Sequence, residues 1–262
     1  MPELPDVEVF KQYLDATSLH QTIKEVEVRH QRVLKNVSED ALREELRGQA
    51  LESSRRHGKH LLVELSGGKW LIFHFGMTGY FSYYKDEKQE PPHARLLLHF
   101  DNGYRLAYDS QRMLGGIELV EEPEQYISKH ELGTDALSEA FDLQAFKKIL
   151  AGKRGASKAA LMDQQSLAGI GNIYSDEILF QAGIHPKKSV SDLTEQEARS
   201  LYQAMKRVLQ TAIRNQADPQ QFPDSYLIPH RRKGEKCPQC SGEVKQEKIS
   251  GRTAYYCPTC QT

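Results

Sequence analysis

Apolar residues recur at helical spacing at the start of the chain. Further along, apolar and polar residues come closer to alternating, as they do in β-strands. Leu4, Val7, Phe10 and Leu14 would share one face of a helix. Short apolar runs follow, separated by turns such as Ser66-Gly67-Gly68, which are typical of hairpins. Strands are predicted within 22–33 and at 61–65, 70–75, 96–100 and 104–108, with a serine-capped helix at 38–48. This pattern predicts an antiparallel sandwich over roughly the first 130 residues.

Helical periodicity replaces this alternation from about residue 132 onwards. Helices are predicted at 143–150, 157–163, 172–182 and 194–215. The last segment carries all four cysteines and a predicted hairpin, in which 244–249 pairs with 253–256 and Arg252 lies at the tip. The predicted fold class is therefore α+β, with a sandwich domain over 1–132, a helical domain over 133–225 and a cysteine module over 226–262. A length of 262 residues suits such a division better than one core.

The composition limits the class of protein only weakly. Hydrophobic residues make up 39% and charged residues 27%, and no apolar run is long enough to span a bilayer. Because no basic and apolar leader is present, we expect a cytoplasmic protein. Separately, we expect the protein to be a monomer. The formal net charge of −1 does not favour a nucleic-acid binder, but phosphate contacts are local and depend on where basic residues lie. Basic clusters occur at 29–35, 55–60, 147–158 and 231–236, each of which taken alone is more typical of a solvated surface.

The cysteines form two C-x-x-C pairs, Cys237 with Cys240 and Cys257 with Cys260, separated by 16 residues. This spacing predicts one tetrahedral zinc site of the ribbon type. Disulfides are the alternative, and the absence of a secretory signal disfavours them. Four thiolates leave no open coordination position, so the zinc is expected to be structural. Many zinc ribbons only bind, so the module alone does not indicate an enzyme.

A glycine-rich stretch, 164–174, separates two predicted helices. Gly169 and Gly171 permit a tight turn and the close approach of a partner to the backbone. Asn172 would then begin a helix whose free amides can hold a phosphate. From spacing alone, a plain helix-turn-helix connection is the favoured interpretation of the stretch.

The first eight residues suggest covalent chemistry. Initiator methionine is normally removed before a small residue, which would leave Pro2 with a secondary α-amine. Such an amine attacks an aldehydic carbon to give a cationic iminium, as lysine does in Schiff-base catalysis, and Glu3 beside it could move protons. The alternative is an unremarkable terminus with acidic residues at the start of a helix.

Three separated motifs decide between these alternatives. Residues 2–8, Pro-Glu-Leu-Pro-Asp-Val-Glu, closely resemble the N-terminal signature of the Fpg/Nei DNA glycosylases (formamidopyrimidine-DNA glycosylase and endonuclease VIII), with Asp6 in place of a glutamate. Residues 161–186 resemble the helix–two-turn–helix segment of the same family, and the zinc ribbon follows in the expected order. The resemblance covers essentially the whole chain. It implies a bifunctional glycosylase and AP lyase that acts on damaged double-stranded DNA without an organic cofactor.

The resemblance also assigns roles to residues. Pro2 would attack C1′ of the damaged nucleotide, Glu3 would take part in opening the sugar, and Lys59 would position the lesion strand. Residues that would bind phosphates around the extruded nucleotide are Lys158, Asn172 and Arg252. Residues that would fill the space left by the flipped base are Met77, Arg112 and Leu114, with Met113 as an alternative to Leu114.

Part of the chain departs from the family pattern. Family members that excise 8-oxoguanine carry a longer covering loop before the zinc hairpin, whereas 217–236 is short here. Met77 and Arg112 favour the Fpg branch and the short loop favours the Nei branch, so the sequence does not identify the lesion. A non-catalytic or lesion-specialised damaged-DNA-binding paralogue is the alternative function. An N-terminal-proline tautomerase is a more distant one, which the chain length and the zinc ribbon disfavour.

Overall fold

Helix α1 (Leu4–Thr17) begins at the predicted position in the computed structural model, which describes residues 1–262. Contacts divide the chain into two units. The first comprises Met1–Pro2 and Asp6–His130, and the second comprises Glu3–Pro5 and Glu131–Thr262. The two ends of helix α1 therefore belong to different units. Its first two residues, Leu4 and Pro5, belong to the second unit, and the rest of the helix belongs to the first.

The first unit contains two four-stranded antiparallel sheets, as predicted for a sandwich. Its strands are β1 (Ile23–Val28), β2 (Leu51–His57), β3 (His60–Leu65), β4 (Trp70–His74), β5 (Gly79–Tyr84), β6 (Ala94–Phe100), β7 (Arg105–Ser110) and β8 (Gly116–Val120). Its further helices are α2 (Glu39–Leu46) and α3 (Pro123–Lys129). One sheet has the order β1-β6-β7-β5 and the other the order β2-β3-β4-β8. The antiparallel sandwich is confirmed.

Alternating apolar residues from both sheets form the core of the first unit. Phe73 of β4 contacts Phe81 of β5 edge to face, with 5.1 Å between ring centroids, and Tyr108 of β7 lies 6.0 Å from Phe73. Edge-to-face aromatic pairs add to the free energy gained from burial alone. The two sheets therefore pack face to face through these rings.

Three strands of the first unit that the sequence did not predict, β2, β5 and β8, all lie at sheet edges. An edge strand pairs on one side only, and its side chains are less completely buried. In β2 only Leu51 is buried, so the apolar alternation that identifies a strand is absent. Helix α3 was missed as well, because its seven residues are too few to show a helical period.

Two loops of the first unit lie against each other, and we call them the wedge loops: 75–78 between β4 and β5, and 111–115 between β7 and β8. A Cβ atom on Gly76 would lie 2.4 Å from the amide nitrogen of Gly115, so no side chain fits there. The amide of Arg112 donates a hydrogen bond to Thr78 Oγ1 (3.1 Å). Sequence-distant segments are thereby held together at one edge of the sandwich.

The second unit is mainly helical. Its helices are α4 (Leu143–Ala151), α5 (Ser157–Met162), α6 (Asn172–Ala182) and α7 (Glu195–Arg214), and its strands are β9 (Thr134–Asp135), β10 (Leu167–Ala168), β11 (Lys245–Ile249) and β12 (Arg252–Tyr256). Strands β11 and β12 form the predicted hairpin, and β9 pairs with β10 in parallel. The four predicted helices are confirmed to within one or two residues at their ends. No helix is both long and apolar enough to cross a membrane.

Helix α7 illustrates why these segments are helical. Thr194 and Glu197 form a reciprocal capping box at its start, and seven buried apolar residues at helical spacing follow. Helix α6 ends at Gly183, which adopts the left-handed conformation (φ 70°) that glycine tolerates best. The separation of a helical domain over 133–225 from a module over 226–262 stays a prediction, since both lie in the second unit.

Gly115 provides a test of the wedge loops. In Gly115→Ala the new Cβ would lie 2.0 Å from the carbonyl oxygen of His74 and 2.6 Å from the hydroxyl of Tyr108. We expect the free energy of unfolding to fall by about 1–3 kcal/mol, measured by denaturant titration. Gly103→Asn is the control, because this turn position (φ 80°) is open and asparagine tolerates it. Equal losses in both variants would show that the loops are not tightly packed.

Candidate active site

Glu3 is buried and caps the amino end of α6. Its carboxylate accepts hydrogen bonds from the amides of Gly171 (2.7 Å), Ile173 (2.8 Å) and Tyr174 (3.2 Å). A negative group at a helix amino terminus is stabilised both by these donors and by the helix dipole. The chain is therefore fixed one residue after Pro2.

The glycines of the 164–174 stretch make room for this contact. A Cβ on Gly171 would lie 2.4 Å from Cδ of Glu3, and a Cβ on Gly169 would lie 2.5 Å from the Leu4 side chain. The amide of Leu4 donates to the carbonyl of Gly169 (3.0 Å). The sequence correctly predicted that a partner approaches the backbone of this stretch closely, but the predicted partner of the α6 amides was a phosphate. In the structure these amides donate to the carboxylate of Glu3 in the same chain.

Lys158 of α5 lies in a buried charge cluster rather than on the surface. Only 1% of it is exposed, and its ammonium donates to Asp176 Oδ1 (2.6 Å), Ser175 Oγ (2.8 Å) and the carbonyl of Asn172 (3.1 Å). Burial lowers the pKa of Lys158, and the contact with Asp176 opposes that shift. Phosphate binding by Lys158 stays a prediction. In this structure its direct effect is to hold the first turn of α6.

Asp176 links α6 to the zinc hairpin. Its Oδ2 accepts from Arg231 Nη2 (2.8 Å) and from the amide of Tyr255 in β12 (3.2 Å). The guanidinium of Arg231 also stacks on the Tyr255 ring, with 4.6 Å between the guanidinium carbon and the centroid. Burial raises the pKa of Asp176, and the two cations beside it oppose that shift. The carboxylate therefore joins three segments: α5, the chain before the hairpin, and β12.

Sequence analysis missed both Asp176 and Arg231. Their contact spans 55 residues, and no local pattern predicts such a pair. One signal was available: Ser175-Asp176-Glu177 interrupts an otherwise apolar helix, and all three residues are buried. Buried charges in a helix require partners, so an unexplained acidic pair of this kind indicates a polar network.

The four cysteine sulfurs have the geometry of a metal site. They lie within 4.8 Å of one another, with 3.7 Å between Cys237 and Cys260 and 3.6 Å between Cys240 and Cys257. Four sulfurs placed tetrahedrally at about 2.3 Å from Zn²⁺ are about 3.8 Å apart, which matches these distances. The amide of Gly242 points at Cys240 Sγ (3.3 Å), a contact that stabilises a thiolate. The residues present therefore fit one structural zinc.

The hairpin is also anchored without metal. Phe180, Leu227 and Val244 pack around the buried cysteines, and Gln261 bridges the amide of Cys257 (2.8 Å) and the carbonyl of Ile184 (2.9 Å). Arg252 is exposed at the predicted hairpin tip, where no side-chain partner restrains its guanidinium. Asn172 is the first residue of α6 and is half-buried.

In the first unit, Lys59 lies in the tight turn between β2 and β3, next to Gly58 (φ 58°). It is half-buried, and its charge is among the causes that lower the pKa of His74 to about 4, after burial. The neighbouring Arg56 donates to Glu8 of α1 (2.8 Å), which orders this turn against the helix.

The wedge loops bring together the three residues predicted to fill the space of a flipped base. Met77 and Leu114 are 40% and 48% exposed, unusually large values for apolar side chains, and Arg112 is exposed between them in sequence. Met113 instead packs against the core of the sandwich. Exposure therefore favours Leu114 over Met113 for the third position.

Comparison with known proteins agrees with this architecture. The chain matches the formamidopyrimidine-DNA glycosylase N-terminal domain over residues 1–117, the H2TH domain of the same enzymes over 132–224, and the zinc finger found in FPG and IleRS over 234–262. It belongs to the formamidopyrimidine-DNA glycosylase family. It is thus a DNA N-glycosylase of base excision repair with one structural zinc, as the resemblance implied.

Relatives and solved structures match over the full chain. The formamidopyrimidine-DNA glycosylase of Syntrophomonas wolfei is 35% identical over 100% of both chains, and that of Streptococcus pneumoniae R6 is 33% identical over 100% of this chain and 99% of its own. The Lactococcus lactis Fpg bound to AP-site DNA superposes with a TM-score of 0.90, at 30% identity over 99% of each chain. The same enzyme with N7-benzyl-Fapy-dG DNA gives 0.90 at 29% identity over 100% of each.

Zinc removal tests the metal site. In Cys237→Ser we expect the hairpin to loosen and duplex binding to weaken, while the sandwich of the first unit stays folded, because the zinc contributes to folding of the module only. Metal analysis, DNA titration and thermal unfolding would be compared with Thr259→Ala, a control on the same module that removes no ligand. A purified wild-type protein without zinc that binds duplex normally would refute the assignment.

Proposed function

We propose that the protein is a bifunctional DNA glycosylase and AP lyase that uses Pro2 as its nucleophile. The observation that carries the proposal is the seating of Glu3, whose carboxylate is fixed by three amides one peptide bond from Pro2. A nucleophile needs an oriented proton-transfer group nearby, and the fixed carboxylate of Glu3, the next residue along the chain, supports this role. The proposal also rests on family membership.

The proposed reaction runs in two stages. The Pro2 nitrogen forms a bond to C1′ of the damaged nucleotide as the C1′–base bond breaks, and Glu3 takes part in opening the sugar ring. The resulting iminium makes the C2′ proton acidic. Loss of that proton expels the 3′ phosphate, and a second elimination expels the 5′ phosphate, so the strand is cut without an external oxidant or metal. Hydrolysis of the final iminium would release Pro2.

DNA binding is proposed for two groups of residues. Lys59, Asn172 and Arg252 would contact phosphates, and Lys158 would belong to the same group, since its ammonium holds the carbonyl of Asn172. Met77, Arg112 and Leu114 would enter the duplex from the exposed wedge loops. Extruding a nucleotide costs a few kcal/mol, which such insertions offset. We keep the proposal of a cytoplasmic monomer, which rests on sequence alone.

The alternative is a damaged-DNA-binding paralogue without turnover, or one specialised for a particular lesion. It would share the zinc, the phosphate contacts and the wedge loops, and it would differ only in covalent chemistry. Trapping of the iminium therefore separates the two functions.

Borohydride trapping on a duplex with an abasic site is the direct test. Reduction converts the iminium to a stable amine, so we expect a covalent protein–DNA adduct in the wild type and none in Pro2→Gly. Pro5→Ala is a matched control, since it changes a proline of the same segment without touching the terminal amine. If no adduct forms at any enzyme concentration, only the binding function remains.

The salt dependence of binding tests the phosphate contacts. Each phosphate contact contributes about one to the slope of log K against log salt, so Arg252→Ala should lower that slope by about one. Lys248→Ala, an exposed lysine on β11 of the same hairpin, is the comparison. An unchanged slope in Arg252→Ala would remove this residue from the proposed group, and the same measurement on Lys158→Met distinguishes direct contact from positioning.

Lesion preference follows from the segment 217–236. Phe222 and Tyr226 pack in the core of the second unit, and the amide of Ile228 donates to Glu177 (2.7 Å), so little of the segment is left to cover a base. We expect single-turnover rates to fall from abasic sites, through formamidopyrimidines and oxidised pyrimidines, to 8-oxoguanine opposite cytosine, which stacks and pairs well. The rates would be compared on one duplex that differs only in the lesion. Equal rates for 8-oxoguanine and the abasic site would contradict this order.

A further inference from the structure

Arg231 lies against the amino end of α6, and one arm of its guanidinium has no partner in the protein. Nε and Nη2 both donate to Asp176 Oδ2, at 2.9 and 2.8 Å, and Nη2 lies 3.3 Å from the carbonyl oxygen of Asn172. The side chain is 17% exposed, and Nη1 is neither hydrogen-bonded nor buried. Because an arginine presents five donors in a rigid fork, the Nη1 arm remains available to an external acceptor.

The orientation of this guanidinium is fixed before any ligand binds. Its inner arm is held by Asp176, whose side chain is fully buried, and the ring of Tyr255 covers one face at 4.6 Å from the guanidinium carbon. The amide of Tyr255 donates to the same carboxylate oxygen (3.2 Å), so the ring and the carboxylate are held together. A side chain restrained in this way loses little further conformational entropy on binding, which favours affinity.

Lys158, the other cation beside Asp176, presents no such donor. An ammonium group has three hydrogens, and three acceptors lie within 3.1 Å of it here: Asp176 Oδ1, Ser175 Oγ and the carbonyl of Asn172. The Lys158 side chain is 1% exposed, against 17% for Arg231. Of the two cations, Arg231 therefore brings positive charge to the surface at this end of α6.

A phosphate is the acceptor that suits this surface. A guanidinium fork matches phosphate oxygens in both shape and charge. The nearby carboxylates are compensated, Asp176 by two cations and Glu3 by three amides of α6. Asn172 contacts Arg231 directly, and Arg252 begins β12, the strand whose tyrosine covers the guanidinium. Residues proposed to contact phosphates therefore lie on both elements that hold this side chain.

We propose that Arg231 binds a phosphate of the damaged strand through its Nη1 arm, while Asp176 holds the other arm. The inference rests on the proposed DNA binding at Asn172 and Arg252, and it adds a contact from the basic segment 231–236. Asp176 is then a positioning residue, because it orients a cation that touches the DNA.

Duplexes that lack one phosphate charge test the inference. Each carries a tetrahydrofuran in place of the damaged nucleotide, which has no leaving group at C1′ and cannot react, and one neutral methylphosphonate near it in the same strand. On the all-phosphate duplex we expect Arg231→Gln to weaken binding about ten-fold. On one methylphosphonate duplex the variant and the wild type should bind almost equally, because the contacted charge is already absent. A merely structural role would lower the affinity by the same factor on every duplex.

Two further variants support this measurement. Arg231→Gln keeps a donor for Asp176, and zinc content and thermal unfolding verify its fold. Arg231→Lys retains the charge beside Asp176, but an ammonium bound there has no second arm, so we expect the same loss and the same dependence on one phosphate. Arg232→Gln is the matched control: this neighbouring side chain is 80% exposed and pairs with Glu235, and its loss should not single out that phosphate.

The inference is overturned if both Arg231 variants lose the same factor on every duplex, or if either binds the all-phosphate duplex as the wild type does. Arg252→Ala, measured alongside, separates this inference from the proposed function. If Arg252→Ala weakens binding and the Arg231 variants do not, phosphate binding by the hairpin stands and only the role of Arg231 fails.

Discussion

The contact between Glu3 and the first turn of α6 is the constraint on which the proposed chemistry depends. Three amides would lose their acceptor if the carboxylate were absent, and for the two in buried residues, Gly171 and Tyr174, each unsatisfied donor costs about 1–3 kcal/mol. The two glycines of the turn are required for the same reason, because any side chain at Gly171 would displace Glu3. The helix terminus is therefore used to position a residue of the same chain.

A row of alternating charges continues inward from this contact. The formal charges of Glu3, Lys158, Asp176 and Arg231 sum to zero, and Asp176 forms ion pairs with both Lys158 and Arg231. In a buried environment, removing one partner of such a pair costs about 3–5 kcal/mol, more than the pair itself contributes. The cluster consequently makes the first turn of α6 and the strand β12 dependent on each other. Proposed phosphate contacts from both elements, Asn172 and Arg252, are held in one arrangement by Asp176.

Local patterns in the sequence predicted the inner strands, the long helices and the cysteine site, since each depends on periodicity or short spacing. The edge strand β2 was missed because a single buried residue, Leu51, gives no alternation. The site was predictable only in part. Pro2 and Glu3 were identified through resemblance, but the acceptor role of Glu3 depends on residues 168 or more positions away, and the position of Lys158 depends on Asp176. Pairings of this range follow from the fold and not from any local pattern.

The hairpin of the cysteine module has attachments that do not involve metal: the amide of Tyr255 on Asp176, the Gln261 bridge, and Thr262, whose backbone pairs with Gly183 and His185. Oxidation of the thiolates would eject the zinc, yet these contacts would keep the sulfurs near one another. Reduction of the sulfurs would then allow zinc to bind again without refolding of the hairpin. For this repair enzyme, oxidative loss of zinc would therefore be reversible.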